Sequence, residues 1–174
     1  IPTDKSFRTP LGEAAADRPF LARLDGCLDG EARALEFLHL REHSLEFQVL
    51  FLQQLAQGEP PPIVPLMTGP LPEGSDGSPG GTPEVEALVE SLARAMAEMG
   101  GRTLVIAGAD LAHLGPDFGD EEPVAGEAPA RLEREDRESL ALAAAGDAEG
   151  FYRHVAREGN PRRICGLSPI YLLL

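Results

Sequence analysis

Apolar positions along this chain fall into blocks whose spacing predicts its elements. Between residues 30 and 57, Leu35, Leu38, Leu45, Phe47, Leu50, Phe51, Leu52 and Leu55 recur mostly at three- and four-residue separations, which predicts a helix or two abutting helices. Gly58 and the prolines at 60–62 end that pattern. Residues 63–67 (IVPLM) form a short apolar run between breakers, as a buried strand does, and Pro65 within it points to a sheet edge or a bulge. Residues 69–81 are rich in Gly, Pro and Ser, a connection long enough to be either a lid or a tolerated insertion. Thr82 then serves as N-cap and Pro83 as the first residue of a helix that carries Glu84 and Glu86 against the positive end of its dipole and stops at Gly100-Gly101. Residues 103–108 (TLVIAG) are apolar and partly β-branched, the pattern of a central parallel strand covered on both faces by elements such as the 82–99 helix.

Elsewhere the pattern is weaker. Residues 9–12 predict a turn and residues 20–28 a short amphipathic segment. Residues 116–129 read as an acidic loop, 131–145 as a helix with Glu and Arg at three- and four-residue spacings, and 147–155 as a last amphipathic segment capped by Asp147. Ser168 and Pro169 suit the N-cap and first turn of a helix running into the terminal leucines. Together these elements predict a single α/β domain over residues 1–174, with a central, mostly parallel or mixed sheet covered by helices.

Composition narrows the function. An apolar content of 43% over 174 residues suits one folded domain rather than a disordered chain. Twenty-nine acidic against fifteen basic residues leave a net charge of -14, and no basic cluster offsets it, which argues against nucleic acid and anionic membranes as partners. Aromatic content of 5% without Trp also removes the stacking platforms of single-strand binders. Two cysteines, Cys27 and Cys165, share no CxxC spacing and fit a reducing compartment, with the cytoplasm as the default. No apolar run approaches the ~20 residues of a membrane span. A start at Ile1 and an uncapped apolar end at 170–174 predict that segments are missing at both ends.

Three places carry candidate chemistry. Asp110 and His113 follow the predicted strand, where ligands bind in open α/β sheets; the plainer alternative is that Asp110 caps a turn and His113 faces solvent. His39 and His43 are four residues apart, with Glu42 and Glu46 beside them, so a continuous helix would put both imidazoles on one face; one could equally pack in a polar seam while the other faces water. Cys165 precedes the predicted Ser168-Pro169 helix start and follows Arg162 and Arg163, features that lower a thiol pKa, although a buried inert thiol is the commoner state of a lone cysteine. Cys27 carries only that inert reading. Met96 and Met99 read as core or its rim, and the acidic run at 120–122 as a solvated loop without calcium-ligand spacing.

In order and spacing, TPLG at 9–12, REHSLEFQ at 41–48 leading to FLQ at 51–53, IVP at 63–65, DLAHLG at 110–115 and ICG at 164–166 with Pro169-Ile170 resemble the Memo family, whose bacterial and archaeal members are called AmmeMemoRadiSam system protein B. The resemblance implies a fold related to the class III extradiol dioxygenases. It also implies a metal centre built from an N-terminal His, His43 of the EHS block and Cys165 of the ICG block, with His113 as a pocket residue. The first of these ligands falls before the TPLG turn, so the pocket of this chain is expected to be empty or weakly occupied. Gly108 and Ala109 stand where the family has Ser, which removes hydroxyls from the pocket wall.

Three functions follow from the resemblance. One is a metal-dependent oxidoreductase with iron, copper or zinc, in which His43, His113 and Cys165 converge on one pocket as ligands and Asp110 joins them in acid/base work. A His/Cys set departs from the 2-His-1-carboxylate triad of Fe(II) oxygenases, which argues against ring cleavage. The second is a non-catalytic protein binding a small molecule or peptide. The third is a partner of AMMECR1-like and radical-SAM proteins in a modification system.

Overall fold

Why residues 18–25 form a helix is visible at its first turn. Asp17 accepts the N–H of Phe20 at 3.0 Å and Pro19 presets the backbone, so the helix α1 (Arg18–Asp25) buries Phe20, Leu21 and Leu24. These residues come from a computed structural model that describes residues 1–26, 32–57 and 60–174. Cys27 and the predicted stop at Gly58 lie outside the described residues. The chain divides into two units, the first of Ile1–Pro72 and Thr82–Gly108, the second of Glu73–Gly81 and Ala109–Leu174.

In the first unit, β1 (Phe7–Thr9) and β2 (Gly12–Ala14) pair as an antiparallel hairpin in register Thr9 with Gly12, across the predicted 9–12 turn. Gly12 has φ +132, a conformation open to glycine, and Thr9 Oγ1 accepts the Leu11 N–H at 3.1 Å. Thr9 also donates to Oε1 of the fully buried Gln53, which joins the hairpin to α2 (Ser44–Leu55). The helical pattern of residues 32–57 resolves into two pieces: a 3-10 helix at Glu36–Leu40, then α2. Residues 63–67 touch the hairpin region through single bridges only, Ala16 with Ile63 and Pro2 with Leu66, as a proline-containing edge should. The helix α3 (Pro83–Met99) starts at the predicted Thr82 N-cap, stops at Gly100 with φ +65, buries Val85, Ser91 and Ala95, and packs on α1.

The predicted central strand is not formed. Residues 103–108 take part in no ladder, and Leu104, Val105 and Ile106 are 77%, 50% and 41% exposed. A central strand needs a hydrogen-bonded neighbour on each side, and none of the described residues pairs with this segment; an apolar run records a tendency to be covered, not the presence of a cover. The fold is therefore α/β in content, six α-helices and one two-stranded sheet among the described residues, without the expected central sheet.

The second unit is helical. α4 (Ala128–Ala144) begins three residues before its predicted start, and α5 (Ala148–Ala156) is capped as predicted, Asp147 accepting the Gly150 N–H at 2.8 Å. α6 (Leu167–Leu173) starts from Gly166 rather than Ser168, which is buried inside its first turn. Phe151, Val155 and Ile164 form the core, with Leu111, Leu142, Leu167 and Ile170 packed round it. Residues 73–81 form an ordered turn, Gly74 N–H to Ser78 carbonyl at 2.8 Å, with Ser78 and Pro79 buried. No helix among the described residues is long and apolar enough to cross a membrane.

Candidate metal centre

Three of the residues singled out by sequence meet in the second unit. The Cys165 thiol donates to Asp110 Oδ1 at 2.9 Å, and Asp110 Oδ2 lies 3.1 Å from His113 Nε2. One donor atom from each residue lies within 4.8 Å of the other two, a spacing that one cation could bridge. Asp110 and Cys165 are exposed, while the His113 side chain retains 22% of its surface. Solvent thus reaches the donors, leaving room for further ligands.

The local sequence explains the convergence. Residues 109–110 lie against the turn before α6 only because residue 166 has no side chain: a Cβ on Gly166 would stand 2.7 Å from both Ala109 Cβ and the Asp110 carbonyl oxygen. His113 is fixed from several sides. Its backbone N–H donates to the Arg162 carbonyl at 2.9 Å, its Nδ1 meets the Arg163 carbonyl at 3.1 Å, and its ring sits edge-on to Phe118 with centroids 4.7 Å apart. Asn160 shapes the supplying segment by pairing both ways with Ile164, Nδ2 to the carbonyl and Oδ1 from the N–H, each at 3.0 Å. That pairing accompanies left-handed backbone at Asn160 and Arg163, unusual for side-chain-bearing residues.

Electrostatics at the thiol run opposite to the sequence expectation. Partial desolvation of the thiol by its neighbours first, and the Asp110 carboxylate next, push Cys165 up to about 11. The two arginines are occupied elsewhere. Arg162 is buried against Asp136 at 2.7 Å and Ser139 at 2.9 Å, and Arg163 pairs with Asp120. Proximity in sequence did not become proximity of charge. The thiol's hydrogen bond, with the nearby His113, in turn holds Asp110 below the usual carboxylate range. Asp120 is also more than a solvated loop residue, since it accepts the Gly115 N–H at 2.6 Å and its carboxyl is held low chiefly by that bond.

His43 belongs to the first unit. It is exposed at the head of α2 with its ring edge-on to Phe47, centroids 5.9 Å apart. His39 sits in the separate 3-10 helix with Nε2 3.0 Å from the Ile1 carbonyl, so the two imidazoles do not share the face of one continuous helix. The backbone breaks at 41–43, where Glu42 accepts the Ser44 N–H at 2.7 Å and starts α2 afresh. Arg162, Asn160 and Phe118 were not singled out by sequence as site residues, because their roles run through carbonyls and ring contacts that no motif spells.

A family model described as Memo-like protein matches residues 1–174. A MEMO1 family protein of Thermococcus kodakarensis is 32% identical over 162 residues, 91% of this chain and 52% of that protein. One from Thermus thermophilus is 31% identical over 170 residues, 97% of this chain and 45% of that protein. The chain spans about half the length of these curated relatives. No solved structure gives a significant match. The chain belongs to the Memo-like family.

Proposed function

We propose that this Memo-like chain binds a transition metal through Asp110, His113 and Cys165, and that the bound metal underlies a metal-dependent oxidoreductase function. The observation that carries the reading is the convergence of a carboxylate, an imidazole and a thiol within 4.8 Å. The donor set fits zinc, copper or iron: imidazole suits all three, and the thiolate favours the softer ions over magnesium or calcium. A bound metal would supply Lewis-acid or electron-transfer chemistry at a position open to solvent. Of the protein's own groups, Cys165 would release its proton to solvent on becoming a ligand, while Asp110 stays a carboxylate and offers an oxygen beside it. One imidazole, one carboxylate and one thiol do not make the facial triad of the ring-cleaving oxygenases, so the reading does not extend to ring cleavage.

The test is metal analysis of the reduced protein after equilibration with zinc, copper(I) and iron(II), with a thermal-shift readout beside it. The expected result is measurable, substoichiometric to single-ion uptake by the parent, and loss of that uptake in Cys165→Ser and His113→Ala. Uptake that survives both substitutions, or none in the parent, would overturn the metal reading in favour of a non-catalytic binding role.

A further inference from the structure

Arg162 touches none of the three donors, yet its main chain holds one of them. Its guanidinium is buried and anchored to α4 by Asp136 at 2.7 Å and Ser139 at 2.9 Å, with Glu135 at 3.5 Å. Ser139 is itself fully buried and returns its hydroxyl to the Glu135 carbonyl at 3.0 Å. A buried guanidinium with this many partners is costly to move, because displacing it strands charge away from water. The backbone at residues 162–163 is therefore tied to α4, and its two carbonyls face His113. A carbonyl only accepts, so the contact from Arg163 requires hydrogen on Nδ1 and leaves Nε2 directed at Asp110.

We propose that Arg162, through its buried anchorage on α4, is a positioning residue that fixes the His113 ring and selects Nε2 as the nitrogen offered to a metal. The proposal rests on the metal reading above for its consequence, but not for its geometry. A metal-binding imidazole is usually held this way, its second nitrogen donating to a carbonyl or carboxylate, and loss of the holding group lowers metal affinity by about 10–100-fold. The route here is longer by one step. The group that holds the imidazole is the Arg163 carbonyl, and the neighbouring residue whose side chain is anchored on α4, and whose own carbonyl takes the His113 N–H at 2.9 Å, is Arg162.

The experiment uses the full chain and compares the parent with Arg162→Lys, Asp136→Asn and Ser139→Ala, with the exposed Arg137→Ala as a surface control on the same helix. Two readouts are taken. In metal-free protein, proton NMR follows the Nδ1–H of His113, assigned by its disappearance in His113→Gln. Separately, cobalt(II) is titrated and its thiolate charge-transfer absorption gives the affinity. The parent should show a slowly exchanging Nδ1–H, and the three variants should broaden or lose it and bind cobalt(II) about 10–100-fold more weakly. Arg137→Ala should change neither. Asp136→Asn and Ser139→Ala keep the test decisive if Arg162→Lys fails to fold. Variants that melt earlier yet keep the Nδ1–H signal and parental cobalt affinity would show that Arg162 is only a structural tie, overturning the proposal. If the parent binds no cobalt, the metal reading fails on its own, and the metal-free NMR comparison still decides whether Arg162 fixes the ring.

Discussion

At the scale of single residues, the thiol of Cys165 and the carboxylate of Asp110 oppose each other's usual ionisation. The thiol is pushed up from 9.0 to about 11, first by partial desolvation and then by its hydrogen bond to Asp110, while that bond lowers the carboxyl. Asp110→Asn removes the charge, so the pH midpoint for alkylation of Cys165 by iodoacetamide should fall, and its rate at pH 8 should rise by up to about tenfold for each unit recovered. Peptide mass mapping separates this thiol from Cys27. An unchanged midpoint would assign the whole rise to desolvation. The sign for stability follows from linkage: a folded pKa above the unfolded one adds stability that is fully present below about 9 and lost as pH rises toward about 11. Urea stability should therefore decline across that window more in the parent than in Cys165→Ser.

At the scale of elements, α5 shows how one cap secures a core. Asp147 accepts the Gly150 N–H at 2.8 Å, and the missing side chain at residue 150 leaves room for this carboxylate rotamer, since a Cβ there would lie 2.1 Å from it and make it turn. The helix so started carries Phe151 and Val155, both fully buried, into the core of the second unit. Asp147→Ala should cost about 1 kcal/mol, read as a lower urea midpoint with an unchanged slope. A loss below a few tenths of a kcal/mol would mean that packing of Phe151 and Val155 alone sets the helix start. The residues following α5 support the candidate site from the other side, since Asn160 braces Ile164 and so places the carbonyls that meet His113.

At the scale of the whole molecule, the charge of -14 is the dominant field. Net charge of this size opposes the folded state through self-repulsion, and added salt relieves it. Raising sodium chloride from about 10 mM to about 150 mM shortens the screening length from about 30 Å to about 8 Å. If that recovers about 1 kcal/mol, the melting temperature should rise by about 2–4 °C. A melting temperature that falls with salt would show that local ion pairs such as Arg162 with Asp136 outweigh the overall repulsion. The same salt series should leave the Cys165 alkylation midpoint nearly unchanged, since Asp110 acts at contact distance.

By itself the sequence determined the local starts and stops: the caps at Asp147 and Thr82, the 9–12 turn, the α3 span and membership of the Memo-like family. These features depend on a few neighbouring residues, so the information lies within a short stretch. Tertiary structure alone decided the rest. Whether residues 103–108 become a strand depends on partners elsewhere in space, and their apolar side chains are exposed because none of the described residues pairs with them. The direction of the Cys165 shift depended on where two guanidinium groups went, and they turned to Asp136 and Asp120 because those carboxylates could be reached from their places in the fold. Burial and ion pairing are sums over neighbours in three dimensions, and sequence spacing lists only the neighbours along the chain.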